Sequence, residues 1–135
     1  MSVSDAPLVA THSNAWALCR STRNLQDDQL DAIAASGGVV GVNFAVGFLR
    51  ADGLNNPETA LGEIVRHADY LAARMGLDHV GLGSDFDGAT MPLELEGIEA
   101  LPRLLDTFRE AGWDEPALRK LCHENWVRVL RATWR

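Results

Sequence analysis

Apolar residues along this chain come in two arrangements: short unbroken runs that end on a polar residue, and longer stretches in which they recur every three or four positions. Runs at 6–11, 39–44 and 79–83 are of the first kind. Each reads as a buried strand. The middle run, Val39-Val40-Gly41-Val42-Asn43-Phe44, is continuous rather than alternating, the pattern expected when both faces of a parallel sheet are covered. Helical spacing begins at 27–36, where Leu30, Ile33 and Ala34 recur behind the first-turn acids Asp27 and Asp28, and Gly37-Gly38 ends the helix. Asn56-Pro57-Glu58 is a helix-start signal, with a capping side chain, a proline at the first helical position and an acid behind it. The predicted helix sets Leu61, Ile64, Val65, Ala68, Leu71, Ala72 and Met75 on one stripe and closes at Gly76. His67 is read as lying off that stripe, solvated or bridging to Glu63, and not as a ligand. Residues 98–108 form a further amphipathic helix. Asp114-Glu115-Pro116 opens the last one, which carries Leu118, Leu121, Trp126, Val129, Leu130 and Ala132 to the C-terminus with a break near His123-Glu124-Asn125. Residues 15–19 read as a helical turn and 91–97 as an acidic covering loop.

Strand, helix, strand, helix, strand and a helical tail mean an α/β fold with a parallel sheet and right-handed crossovers. Residues 1–135 form a single domain, with no repeat, low-complexity stretch or linker. Three apolar strands leave sheet edges exposed, which points to partner chains or a missing portion. A complete parallel barrel takes eight strands and about 250 residues.

Composition narrows the class. An apolar content of 47% and a charged content of 23% are those of a soluble globular protein, and no apolar run nears the ~20 residues of a membrane span. The start, Met1-Ser2-Val3-Ser4-Asp5, lacks a basic flank and apolar core, so no export signal is expected and a cytoplasmic location is the default. The net charge of −7 argues against a nucleic-acid partner. Cys19 and Cys122 have no CxxC spacing and read as helix-packing thiols.

Candidate chemistry gathers where the strands end. Gly81-Leu82-Gly83-Ser84-Asp85-Phe86-Asp87-Gly88 puts Asp85 just past a buried strand, the place where parallel α/β folds bind ligands. The alternative is an Asx-type turn. His12 follows the first strand in the same way, and a neutral imidazole there suits a metal once an acceptor fixes its tautomer; a turn or capping histidine is the plainer reading. Arg23 lies in a loop that returns to the strand-end face, where its guanidinium suits a substrate carboxylate, with Arg20 as competitor and a solvated surface arginine as the alternative. Asn43, in the central strand, needs hydrogen-bond partners wherever it points.

Five ordered motifs resemble the C-terminal half of the membrane dipeptidase (renal dipeptidase) family of zinc peptidases: Thr11-His12-Ser13-Asn14, Thr22-Arg23-Asn24-Leu25, the 37–44 run, His67-Ala68-Asp69-Tyr70-Leu71, and Gly83-Ser84-Asp85-Phe86-Asp87-Gly88. The ending Asn125-Trp126-Val127-Arg128-Val129-Leu130 is similar too. The resemblance implies the C-terminal part of a (β/α)8 TIM-type barrel and hydrolysis of dipeptides with two zinc ions. It also implies roles: His12 as a ligand of the second zinc, with Thr11 replacing a serine of the family motif; Arg23 holding the substrate near its carboxylate; Asp85 contacting substrate and relaying a proton. In that chemistry the two metals lower the pKa of a bridging water, and Asp85 passes a proton to the departing amine.

The departure from the family is the ligand count. The family's His-x-Asp pair, bridging glutamate and first zinc histidine have no counterpart before His12, and a catalytic zinc usually takes three protein ligands. The isolated chain is therefore expected to be inactive on dipeptides, and to be a fragment or split half that completes its site with an N-terminal half or as a homo-oligomer. A non-catalytic half-barrel used for association or small-molecule binding is the competing reading. A self-contained hydrolase built on His12 and Asp85 lacks a framed nucleophile, since Ser13 and Ser84 have no elbow-type glycines.

Overall fold

A computed structural model describes residues 4–134; the first residues of the expected signal-free start, 1–3, lie outside them. Three strands, β1 (Val9–Ala10), β2 (Val39–Asn43) and β3 (Val80–Ser84), form one parallel sheet in the order β1-β2-β3. The crossovers contain α1 (Asp27–Ala35) and α2 (Gly62–Met75). After β3 come α3 (Leu101–Glu110), α4 (Glu115–Arg119), a π turn (Lys120–Glu124) and α5 (Asn125–Thr133). Val40, Val42 and Val80 face the helices and are fully buried with Ile64, Leu71, Leu104 and Leu121, so the core lies between the sheet and its helical layer.

β2 is buried at every position, as its unbroken apolar run predicts. Gly41, Gly81 and Gly83 lie on the strands between core-facing residues, where Trp126 packs; a Cβ at Gly81 would overlap the Trp126 indole, and one at Gly41 would overlap the Thr11 carbonyl. The β2–β3 ladder slips by one residue between Val42 and Asn43, which brings Asn43 opposite Ser84. That bulge re-aims the end of β3.

Several sequence expectations change. The first strand, expected over 6–11, pairs only at Val9 and Ala10. The helix expected to start at Asn56-Pro57 starts at Gly62: the Asn56 side chain accepts from Glu58 N, closing a local turn, and Pro57 O accepts from Leu93 N, tying the segment to the covering loop. His67 is wholly buried, not solvated. Leu130 and Ala132 do not continue the inward stripe; Leu130 is 38% exposed. Past the π turn at 120–124, Trp126 and Val129 face inward as expected, and Asn125 joins them. Cys19 is buried as expected, whereas Cys122 is exposed on that turn.

Candidate active site

The site is built on the carboxyl ends of the three strands. The chain leaves β1 at Thr11 and is held beside β2 by Ser13 N donating to Gly41 O at 2.8 Å, which leaves His12 over the rim. Thr11 Oγ1 lies 2.7 Å from His12 Nδ1, and an Arg23 guanidinium nitrogen lies 3.5 Å from His12 Nε2. A guanidinium only donates, so Nε2 carries the lone pair, and Nδ1–H donates to the Thr11 hydroxyl. This is the tautomer in which an imidazole presents Nε2 to a cation while a neighbouring acceptor fixes the ring.

Arg23 stacks its guanidinium over Phe48, 5.6 Å from the ring centre, and turns toward His12. Arg20 points away and sits over Trp16 at 5.1 Å. Of the two arginines, Arg23 is therefore the one at the rim. The loop that carries it is fixed by buried asparagines. Asn24 Nδ2 donates to Cys19 O and Phe48 O, each at 3.0 Å, and Asn24 Oδ1 accepts from Asn14 N.

Asp85 reaches the same rim from β3. The chain turns there through Ser84 at φ 50°, Asp85 at φ 77° and Asp87 at φ 64°, a left-handed stretch with no glycine at those positions. Such backbone conformations cost energy, least for Asp and Asn, and persist where surroundings hold them. Asn43 holds this one. Its Nδ2 donates to Asp85 Oδ2 at 3.1 Å and to His12 O at 3.4 Å, while its Oδ1 accepts from Ala45 N at 2.7 Å. Asn43 N in turn donates to Asn14 Oδ1 at 2.9 Å, so one buried amide spans the histidine and the acid. The Asp87-Gly88 turn beyond it is closed by Gly88 N donating to Asp85 O.

His67 supports the rim from below. Ala15 N donates to its Nδ1 at 3.2 Å, and its Nε2 lies 2.8 Å from Leu49 O. The ring is thus neutral with the proton on Nε2, and burial pushes its pKa from 6.5 down to about 4. Glu94, Glu96, His123 and Glu124 are exposed and contribute nothing to the rim.

Sequence reasoning set His12 and Asp85 at strand ends and Arg23 in a loop returning to that face; in the structure Arg23 lies beside the His12 ring, and Asn43 links the His12 backbone to Asp85. Sequence reasoning overlooked Asn14, Asn24 and His67 as supports. The set fits a metal only in part: His12 offers one well-oriented nitrogen, but among the described residues no three His, Cys, Asp or Glu side chains gather to hold an ion.

A parallel α/β layer with an imidazole, a guanidinium and a carboxylate over its carboxyl rim falls in a class, the α/β proteins whose ligand sites lie at strand ends. Residues 1–134 match the membrane dipeptidases, peptidase family M19, and the chain belongs to that family. It is 60% identical over 129 residues to a Klebsiella pneumoniae protein described as an uncharacterized protein in the pqqA 5' region, covering 96% of this chain and 48% of that one. It superposes with a TM-score of 0.96 and 55% identity on the metallo peptidase dipeptidase AC of family M19, covering 98% of this chain and 39% of that chain. The same score and identity hold for a Rhodobacter sphaeroides metallo peptidase liganded with a phosphinate mimic of the dipeptide L-Ala-D-Ala, of which 38% is covered. The chain thus spans about half, or less, of the length of these relatives.

Proposed function

We propose that this chain carries the substrate-binding and proton-handling part of a zinc dipeptidase built as a (β/α)8 barrel, with the remaining metal ligands on polypeptide outside these residues. Arg23 binds the carboxylate of a dipeptide such as L-Ala-D-Ala, Asp85 holds the proton destined for the departing amine, and His12 Nε2 is one zinc ligand. Bound zinc would supply Lewis acidity and an activated water. The observation that carries the reading is Asn43, whose one amide nitrogen donates both to the Asp85 carboxylate and to the His12 carbonyl and so fixes acid and imidazole over one rim.

The test compares L-Ala-D-Ala hydrolysis and bound zinc for the chain alone and for the chain co-expressed with the part of the Klebsiella relative outside the matched region. The chain alone is expected to show no turnover, and the pair to take up zinc and hydrolyse the dipeptide. Asp85→Asn in the pair is expected to lower kcat by about 10²–10⁴-fold, the range for a lost general acid or base. Turnover by the metal-loaded chain alone would refute the divided site. A pair that assembles without zinc or turnover would favour the competing reading, a non-catalytic association module.

A further inference from the structure

The turn after β3 places its glycine where no unusual backbone angle asks for one. Ser84, Asp85 and Asp87 take up left-handed backbone at φ 50°, 77° and 64°, whereas Gly88, which would occupy that region at least cost, lies outside it. Gly88 is therefore not required by φ, and what sets it apart is its missing side chain. A Cβ at Gly88 would stand 2.6 Å from Asp85 Oδ1, and the next atoms, Asp85 Cγ and O, are 3.5 and 3.6 Å away. The two carboxylate oxygens thus have separate neighbours. Oδ2 accepts from Asn43 Nδ2 at 3.1 Å, and Oδ1 fills the space where a side chain at position 88 would begin. The backbone on either side is anchored. Phe44 N donates to Ser84 O at 2.9 Å, the Phe86 ring stands edge-on to Phe44 with centres 5.7 Å apart, Gly88 N donates to Asp85 O at 3.2 Å, and Val46 N donates to Thr90 O at 3.0 Å. At Gly41 and Gly83 an added Cβ would meet backbone, which cannot yield cheaply; at Gly88 it would meet the free end of one side chain.

We propose that Gly88 is a positioning residue for Asp85: by carrying no Cβ it leaves room for Oδ1, and so keeps Oδ2 on the Asn43 amide that also holds the His12 carbonyl. The inference rests on the reading of Asp85 as the acid that serves the departing amine. With the backbone pinned on both sides, a methyl at position 88 turns the carboxylate and takes Oδ2 off Asn43. The fold loses little by this, since Asp85 is only half-buried and its displaced oxygens reach water. Catalysis loses more, because a misplacement of about 1 Å in a reacting group can cost about 10²-fold in rate. A substitution that is cheap for the chain and expensive for the reaction is the mark of a residue that acts through another.

The test compares wild type, Gly88→Ala and Gly62→Ala, the last adding a methyl where nothing lies within 4 Å. On the chain alone, thermal melting and the NMR signals of the Asn43 side-chain amide are followed. Gly88→Ala is expected to fold and melt cooperatively, and to shift the Asn43 Nδ2 proton bonded to Asp85 while the proton bonded to His12 O stays in place. Gly62→Ala is expected to shift neither. In the pair with the remainder of the Klebsiella relative, Gly88→Ala is expected to lower kcat for L-Ala-D-Ala by about 10²-fold with KM within about twofold. In an Asp85→Asn background the same change is expected to cost no more than about twofold further, because the acid it displaces is already gone. Unchanged Asn43 signals, loss of the folded state in Gly88→Ala, an active pair whose kcat ignores Gly88→Ala, or a full further loss on top of Asp85→Asn would each overturn the inference. A wild-type pair without turnover would refute the catalytic reading instead, and the Asn43 signals of the chain alone would then decide for or against Gly88 as the residue that places the carboxylate.

Discussion

Acidification below neutral pH should destabilise this chain through His67. The imidazole has no exposed surface, accepts from Ala15 N through Nδ1 and donates to Leu49 O through Nε2, so a second proton would set an N–H against an N–H inside the core. Its pKa is accordingly about 4 in the folded chain, against an ordinary 6.5. As pH falls through 6.5 the unfolded chain takes up a proton that the folded chain refuses until about 4. The unfolded state therefore binds more protons across that window, and stability falls with falling pH, levelling off below 4. The difference amounts to about 2 kcal/mol at pH 5 and about 3 kcal/mol at the acid limit, at about 1.4 kcal/mol per unit of pKa.

Urea unfolding at pH 7 and pH 5, for wild type and His67→Gln, isolates this contribution. The glutamine does not titrate, while His12, His79 and His123 are present in both proteins and cancel. Asp52, held at about 2 by its bidentate pair with Arg50, stays charged throughout and does not contribute to the difference. Wild type is expected to lose about 2 kcal/mol more than the variant between the two pH values. Equal losses would refute the reasoning, as would an imidazole titration of His67 near 6.5 followed by NMR.

Two further outcomes follow from the site and the sheet. Asn43→Ala is expected to destabilise the chain by about 3 kcal/mol in denaturant titrations, because the Ala45 N–H and the Asp85 carboxylate lose a buried partner at once; a cost under about 1 kcal/mol would mean that water replaces the amide. Gly81→Ala is expected to cost about 1–3 kcal/mol through overlap with the Trp126 indole, and less in a Trp126→Ala background, whereas Gly62→Ala, with nothing within 4 Å, should be neutral or slightly stabilising. Equal Gly81→Ala effects in both backgrounds would rule out the contact.

Most of the fold was legible because burial writes itself into spacing. The unbroken run at 39–44 became the fully buried β2, and the stripe from Leu61 to Met75 became the inner face of α2. His67 shows where identity overrode spacing. It stands three residues after Ile64 and four before Leu71, on the stripe itself, where a polar side chain does not count toward apolar spacing. Its two hydrogen bonds come from residues 52 and 18 positions away, which no local pattern displays. Leu130 and Ala132 mislead for a different reason: Leu118, Leu121, Asn125 and Val129 fill the buried face at helical spacing, and one of those positions is a polar asparagine that apolar patterning does not mark.

The site was legible in its members and not in its organiser. His12 and Asp85 could each be placed at a strand end from a short polar signature, because in a parallel sheet every strand delivers its C-terminal residues to one rim. What joins them is lateral. Asn43 and Asp85 lie 42 residues apart, and they meet only because β2 and β3 are neighbours and the ladder slips at Val42/Asn43 to set Asn43 opposite Ser84. Without that slip the asparagine would face Gly83, and Asp85 would lie one residue further along the rim. A bulge is a relation between two strands, so its signature is shared between stretches that a linear reading takes separately. The left-handed turn at Ser84 and Asp85 is its visible trace on one strand, and the buried asparagine is its trace on the other. The same dependence on neighbours explains β1. Its apolar run is as suited to a strand as that of β2, yet it pairs over two residues, because a strand forms as far as a partner supports it and only one flank of β1 has a partner among the described residues.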